Sequence, residues 1–267
     1  MNRIDRALAE TRAAGRAALI PFVTAGDPDL ATTAELIPEL VAAGADLVEI
    51  GVPHSDPIAE GPTIQASSFR SLEQKTDLGQ ILELCASARE ATDAPLILMG
   101  YLNNVLARGE EKLARDCAAA GVDGLIVADA PYEEAPRLQS ACAEHGVHRI
   151  LMVAPTSTPE RVVQIASRAR GFVYCVSTTG VTGARAELPR DLSLLVSRIQ
   201  RATQTPVCVG FGISTPDQAA AVARLADGVI VGSALVSRIA AAATRAEAVS
   251  SATEFLRGLA EGIRTAR

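Results

Sequence analysis

Short apolar runs alternate along the chain with longer segments in which apolar residues recur every three or four positions. The short runs predict buried strands at residues 18–23, 46–50, 95–99, 124–127, 148–153, 171–176, 206–209 and 227–231. The longer segments predict helices at residues 30–43, 79–91, 110–119, 133–144, 159–168, 192–201 and 216–224. Runs that are apolar at consecutive positions are buried on both faces, as parallel sheets require.

Eight strand–helix units predict an α/β fold, a single (β/α)8 TIM barrel, with a doubly wound open sheet as the alternative. An open sheet usually carries its main phosphate loop after the first strand, whereas the glycine-rich turns of this chain come late, which favours the barrel. The 267 residues suit one barrel domain spanning residues 1–267, although two small domains would also fit that length.

Segments outside the eight units predict additional helices. Ile4 and Leu8 recur at helical spacing before the first strand, which predicts an N-terminal helix that caps the barrel floor. Near the C-terminus the spacing of Leu256, Leu259 and Ile263 predicts an extra helix that packs against the outside of the barrel. The pattern leaves the polar stretch 61–71 open between helix and loop.

Composition and charge narrow the class of partner. Hydrophobic residues make up 48% of the chain, aromatic residues 3%, and the formal net charge is −6. The acidic balance argues against nucleic acid or a membrane surface as the main partner, since both select for basic surface. Five widely spaced cysteines without a CxxC pair, no apolar run of membrane-spanning length and no secretory signal predict reduced thiols and a cytoplasmic location.

Three consecutive late turns carry glycines where barrel enzymes hold phosphate. The turn residues are Gly180, Thr182 and Gly183 after strand six, Gly210, Gly212 and Ser214 after strand seven, and Gly232 and Ser233 after strand eight. Free backbone N–H groups at a helix start bind anions, and glycine lets the phosphate approach the backbone. Each turn alone is as well explained by an ordinary turn glycine, but three together predict a phosphate site. The sequence contains no GxxxxGK[ST] run, so it does not indicate a site for a nucleoside triphosphate.

An acidic residue interrupts the apolar pattern of the second strand. Val48 and Ile50 share one face of that strand, so Glu49 is expected to point into the barrel mouth. A carboxyl group among aliphatic side chains has a raised pKa, which suits proton transfer near neutral pH. The alternative is a glutamate at a strand end that simply reaches solvent.

The loop after this strand, residues 53–62, adds a second carboxylate that could share the work. Glu60 is the candidate, with a solvated loop acid as the alternative, whereas Asp56 is expected to cap or brace the loop. Neither Lys75 nor Lys112 lies at a strand end, which excludes a Schiff-base aldolase, and no metal-ligand cluster is present in the sequence. Any carbon–carbon cleavage is therefore expected to use acid–base chemistry.

Seven segments, in order from Leu19 to Ala234, resemble those of the tryptophan synthase alpha subunit family. The segments are LIPFVTAGDP, VEIGVPHSDPIAEGPTIQ, LMGYLNN, GVDGLIVADAPYEE, YCVSTTGVTGAR, GFGIS and DGVIVGSA. The resemblance implies retro-aldol cleavage of indole-3-glycerol phosphate to indole and glyceraldehyde 3-phosphate. It also implies a beta-subunit partner in an assembly of two alpha and two beta chains, with pyridoxal phosphate only in the beta chain and no cofactor in this one.

The resemblance assigns roles to individual positions. Glu49 falls on the family's catalytic glutamate, and Asp56 and Asp129 fall in regions that signal to the beta subunit. The residues implied for substrate binding are Phe22, Met99, Tyr101, Ile126, Tyr174, Phe211 and Ile230, together with Thr182 in a loop that closes over substrate. The residues implied for phosphate binding are Gly183, Gly212, Gly232 and Ser233.

Two positions depart from the family pattern. Glu60 stands where the family usually has a catalytic aspartate, and His54 stands where a phenylalanine or tyrosine is usual. Glu60 is expected to accept a hydrogen bond from the indole N–H, with its extra methylene absorbed by the loop or by a different rotamer. His54 is expected to pack like an aromatic residue or to contact the partner. The alternatives to a partner-assisted lyase are a weakly catalytic regulatory subunit and a stand-alone lyase that releases indole.

Overall fold

The computed structural model describes residues 1–176, 191–210 and 212–266. Within these ranges eight parallel strands close into a barrel in which each strand pairs with its neighbours in sequence and β8 pairs with β1. The strands are β1 Ala18–Thr24, β2 Val48–Gly51, β3 Leu96–Gly100, β4 Gly124–Val127, β5 His148–Val153, β6 Val173–Val176, β7 Val207–Gly210 and β8 Gly228–Val231. The predicted TIM barrel is confirmed, and all predicted strand ends lie within two residues of those observed.

The described residues also form helices on the outside of the barrel and at its floor. These are α1 Arg3–Ala13, α2 Leu30–Ala42, α3 Pro62–Glu73, α4 Leu78–Ala88, α5 Leu102–Arg108, α6 Glu110–Ala119, α7 Pro136–Glu144, α8 Pro159–Ala166, α9 Leu192–Ala202, α10 Pro216–Ala223, α11 Ser233–Ala241 and α12 Arg245–Arg264. The polar stretch that the sequence left open is therefore helical, as α3. The short helix α5 was not predicted.

One predicted helix, residues 133–144, starts three residues too early. The observed helix α7 begins at Pro136, because a proline suits the first helical position and disfavours a helical conformation of Ala135 before it. The Tyr132 ring lies under the guanidinium groups of Arg161 and Arg168, at 4.8 and 4.6 Å from its centroid, and Glu133 forms an ion pair with Arg161. These contacts fix the loop that precedes the helix.

Alternate residues of the strands fill the barrel lumen, and the terminal helices close and cover the barrel. Ile4 and Leu8 of α1 join the buried lumen cluster from below, as predicted. A Cβ atom at Gly124 would lie only 2.8 Å from Cδ1 of Ile4, so the glycine makes room for this plug. At the other end of the chain α12 packs on α10, α11 and α2, and it buries the predicted residues Leu256, Leu259 and Ile263.

Three aspartates just before strands fasten the N-terminal end of the barrel. Each accepts a hydrogen bond from the backbone of the neighbouring strand: Asp46 from the N–H of Leu19 (2.9 Å), Asp123 from that of Leu96 (3.0 Å) and Asp227 from that of Val207 (2.9 Å). Each aspartate also pairs with an arginine, respectively Arg16, Arg89 and Arg12. The shared rhythm of AAGAD, AAGVD and LAD in the sequence therefore marks a repeated polar link between strands.

We predict that Asp123→Asn lowers the free energy of unfolding by about 2–4 kcal/mol, because it leaves the half-buried Arg89 without its carboxylate. The Asp123 side chain is only 5% exposed, whereas that of Asp93, which pairs with Arg3 on the same surface, is 67% exposed. The matched variant Asp93→Asn should therefore lower the free energy of unfolding much less, because solvent screens this exposed ion pair. Urea denaturation of the two variants measures the difference, and equal losses would show that the Asp123 link does not stabilise the floor.

Candidate active site

A cavity opens at the C-terminal ends of the strands, where barrel enzymes carry their active sites. Its empty space is about 630 Å³, including the mouth. It brings together most of the site residues predicted from the sequence: Phe22, Glu49, Glu60, Met99, Tyr174, Gly212, Ile230, Gly232 and Ser233. Apolar side chains thus surround two carboxyl groups, and the described glycines of the last two turns line the same cavity.

Glu49 points into the lumen from β2, between Phe22 of β1 and Ile97 of β3 in the strand register. Its side chain is fully buried, which excludes the alternative that it reaches solvent. Neither carboxyl oxygen has a hydrogen-bond partner among the described residues. Burial, and secondarily the negative charge of Glu60, raise the pKa of Glu49 from its ordinary 4.5 to about 8.

Glu60 reaches the same cavity from the end of the β2–α3 loop, which we define as residues 52–61. It is 8% exposed, and burial raises its pKa to about 7. The backbone of Glu60 is fixed on both sides. Its N–H donates to the carbonyl of Pro57 (3.0 Å), and its carbonyl accepts a hydrogen bond from the Gln65 side chain (2.9 Å). The solvated-acid alternative for Glu60 is therefore wrong.

The two carboxyl groups titrate as a coupled pair with different local environments. Burial raises the pKa of both groups, and the charge of an ionised Glu60 raises the pKa of Glu49 further. When the pair is singly ionised, it holds one negative charge and one transferable proton. This state offers an ionised hydrogen-bond acceptor and a general acid in the same apolar cavity.

Two glycines give the aromatic walls their space. A Cβ atom at Gly51 would lie 2.4 Å from Cζ of Phe22, and one at Gly210 would lie 2.7 Å from the Tyr174 hydroxyl oxygen. Burial, followed by the charges of Glu49 and Glu60, raises the pKa of Tyr174, so its hydroxyl stays protonated. A neutral phenol can donate a hydrogen bond to a polar group of a ligand in this cavity.

The described part of the late turns forms the polar end of the cavity. Gly212 has φ +47°, a conformation that glycine adopts without strain, and Gly232 is the N-cap of α11. Ser233 is the first residue of this helix, is almost fully buried and forms part of the cavity wall. The first N–H groups of a helix have no intrahelical acceptor, so this end suits an anion. The predicted residues Thr182, Gly183 and Phe211 lie outside the described residues.

The other described positions predicted from the sequence do not form the cavity wall. Ile126 is fully buried in the lumen cluster, and Tyr101 is buried beside the β2–α3 loop. Asp56 is exposed on that loop, where its carboxylate accepts a hydrogen bond from Ser55. Asp129 is exposed as well, and it accepts a hydrogen bond of 2.7 Å from the N–H of Leu102 at the start of α5.

Four wall residues were not predicted from the sequence, namely Ala59, Ile64, Met152 and Val176, whereas Gly210 belongs to a turn that was. Met152 could have been found, because it alternates with Ile150 on the lumen face of β5. Ala59 could not, since the path of a loop is not encoded in a periodic pattern.

The described residues contain no group of three or more histidine, cysteine, aspartate or glutamate side chains that could hold a metal ion. No helix among them is long and apolar enough to cross a membrane.

Comparison with known proteins gives one consistent answer. The family model described as tryptophan synthase alpha chain matches residues 8–264. The tryptophan synthase alpha chain of Geobacter sulfurreducens is 49% identical over 98% of this chain and 99% of its own, and that of Citrifermentans bemidjiense is 52% identical over 88% of each. A solved Mycobacterium tuberculosis tryptophan synthase structure has a chain that superposes with a TM-score of 0.91 at 39% identity, over 98% of both chains.

The family match spans the barrel, and the relatives share about half of their residues with this chain over most of their length. The same closed barrel is found in the solved relative at high structural similarity. On these matches, the chain belongs to the tryptophan synthase alpha chain family.

Proposed function

We propose that Glu49 and Glu60 divide the chemistry of the family's reaction between them in this chain. The family cleaves indole-3-glycerol phosphate to indole and glyceraldehyde 3-phosphate, as the alpha chain of tryptophan synthase in tryptophan biosynthesis. The observation that carries the proposal is the pair of buried carboxyl groups in one apolar cavity, with pKa values of about 8 and about 7.

Glu49 transfers the protons in this proposal. Its carboxyl group protonates C3 of the indole ring, and its carboxylate then accepts the proton of the glycerol hydroxyl next to that carbon. The bond between C3 and the glycerol carbon breaks, its electron pair returns to the ring, and the hydroxyl carbon becomes the aldehyde. One proton is gained at C3 and one is lost from oxygen, so the cleavage is balanced without water.

Glu60 stabilises the charge that the first proton transfer creates. Protonation at C3 makes the ring cationic at its N–H, and an ionised carboxylate that accepts this hydrogen bond lowers the energy of that state. The protonated ring is also the electron sink for bond cleavage. Neither a lysine Schiff base nor a cofactor in this chain is therefore part of the proposal, and pyridoxal phosphate is assigned to the beta partner.

The rest of the cavity binds and orients the substrate. Phe22, Met99, Tyr174 and Ile230 supply walls for the flat indole ring. The phosphate is assigned to the Gly212 turn and to the start of α11 at Gly232 and Ser233, because this end combines free N–H groups with a hydroxyl. Thr182, Gly183, Phe211, Tyr101 and Ile126 keep the binding roles that the family resemblance implies.

The alpha chains of this family work with a beta partner. We infer an assembly of two alpha and two beta chains, with Asp56 and Asp129 in the segments that communicate with the partner. Both side chains are exposed at the barrel mouth, which supports this assignment.

A single domain spanning residues 1–267 is supported by the family match over residues 8–264. A cytoplasmic location is supported by five buried cysteines that form no disulfide.

We predict that Glu49→Gln lowers kcat for indole release by about 10²- to 10⁴-fold, because an amide neither donates nor accepts the required proton. Indole release from indole-3-glycerol phosphate is measured with and without a tryptophan synthase beta subunit. Binding of sn-glycerol 3-phosphate serves as the control for an intact phosphate site. Release at the wild-type rate by Glu49→Gln would remove Glu49 from the mechanism. No release by the wild type in either condition, with glycerol phosphate still bound, would identify a regulatory subunit.

A second prediction concerns the pH dependence of kcat/KM. The profile should rise as Glu60 ionises, near pH 7, and fall as Glu49 loses its proton, near pH 8. In Glu60→Gln the negative charge that raises the pKa of Glu49 is gone, so the alkaline limb should move to lower pH while the maximum rate falls. Glu60→Asp keeps the charge and should keep both limbs. An alkaline limb that stays in place in Glu60→Gln would show that the two groups are not coupled.

A further inference from the structure

The β2–α3 loop that carries Glu60 is braced by an unusual pair of rings. The His54 imidazole lies on the ring of Tyr101, with 4.6 Å between centroids and 32° between planes. Its Nδ1 accepts a hydrogen bond of 3.0 Å from the backbone N–H of Asp56. The histidine thus closes a tight turn over residues 54–56 and at the same time fixes this turn against Tyr101.

Tyr101 passes this constraint on to Glu60. Its hydroxyl accepts a hydrogen bond of 3.1 Å from the N–H of Ala59, the residue directly before Glu60. Tyr101 is itself buried, and its backbone N–H donates to the Asn104 side chain at the start of α5. A displacement of the His54 turn or of the Tyr101 ring would therefore shift the backbone that leads into Glu60.

The other side of Glu60 is held independently. The helix α3 starts at Pro62 and is bound to the end of β1 and the turn after it, through a 2.6 Å hydrogen bond between Ser67 and Thr24 and a two-point ion pair of Arg70 with Asp27. Residues after Glu60 thus follow a fixed helix. On the other side, the path of the backbone into Glu60 is set by residues 54–59.

The acceptor atom is what a histidine adds at this position. A phenylalanine ring could also lie on Tyr101, but it has no nitrogen to accept the N–H of Asp56. Because Nδ1 accepts, we assign the proton of the neutral ring to Nε2, which is buried and without a partner among the described residues. A buried Nε2–H without an acceptor is unfavourable, so the hydrogen bond at Nδ1 forms at a cost in free energy at Nε2.

We propose that His54 is a positioning residue that sets the β2–α3 loop for a glutamate at position 60. The bond from Asp56 to Nδ1 tightens the turn, and the Tyr101–Ala59 contact carries the tightened path to Glu60. The loop is thereby drawn back by enough to offset the extra methylene of Glu60 relative to the aspartate usual in the family. The two departures from the family pattern are then one adjustment, and this inference rests on the role proposed for Glu60.

The test is a double-mutant cycle of His54→Phe and Glu60→Asp, assayed by indole release with the beta subunit present. Each single variant is expected to lose about tenfold in kcat, because each displaces the carboxyl group relative to the indole N–H. Independent effects would multiply to a loss of about a hundredfold. We expect the double variant instead to recover to within about threefold of the wild type, since it restores the shorter side chain together with the untightened loop.

Two controls separate positioning from a loss of stability. The affinity for sn-glycerol 3-phosphate should be unchanged in all three variants, because the phosphate is assigned to Gly212, Gly232 and Ser233 and not to the β2–α3 loop. His145→Phe alters a histidine whose Nε2 bonds to Glu111 on the outer helices, and it should leave kcat unchanged. His54→Asn, whose side-chain oxygen can accept an N–H two residues on, should lose less kcat than His54→Phe.

An additive loss in the double variant would overturn the coupling between His54 and Glu60 while leaving the role of Glu60 intact. If Glu60→Ala kept the wild-type kcat, the role proposed for Glu60 would itself be wrong. Weakened glycerol phosphate binding in His54→Phe would show a general structural defect and would also overturn the positioning role.

Discussion

The Glu49 carboxyl group sits in the apolar lumen of the barrel without a hydrogen-bond partner among the described residues, and most of the site's properties follow from this placement. Desolvation is the main reason that its pKa is about 8 instead of 4.5. The folded chain therefore holds a proton that the unfolded chain releases above about pH 4.5. By linkage, the contribution of this group to stability falls as the pH rises from about 4.5 to about 8. This destabilisation arises at Glu49, the position to which proton transfer is assigned.

Stability and chemistry are located at opposite ends of the barrel. At the floor, Asp46, Asp123 and Asp227 are each matched by a backbone N–H and an arginine, and α1 closes the lumen with Ile4 and Leu8. At the mouth, the two buried carboxyl groups lie without such arginines among the described residues. Without an arginine partner in the described part of the chain, both carboxyl groups keep raised pKa values, because a nearby positive charge would lower those values. This division lets the loops at the mouth vary while the floor maintains the fold.

The sequence was sufficient for the barrel, because parallel strands that are buried on both faces leave a clear pattern of apolar runs. It was also sufficient for Glu49, since strand alternation assigns its face, and for the start of α11, since Gly232 and Ser233 follow a strand directly. The prediction failed at the start of α7, where apolar spacing was followed past the local start signal of Pro136. The hydrogen bond between the Tyr101 hydroxyl and the Ala59 N–H could not be predicted from the sequence, because a hydrogen bond to a loop backbone has no signature in residue type.

The central claim is that Glu49 is uncharged in the resting enzyme at neutral pH, and infrared spectroscopy tests it directly. The difference spectrum between the wild type and Glu49→Gln isolates the C=O stretch of the protonated carboxyl group. If Glu49 keeps its proton in the folded chain, this band is present at pH 7 and disappears with a midpoint near pH 8. A band that disappears near pH 4.5, the ordinary value for a solvated glutamate, would contradict it.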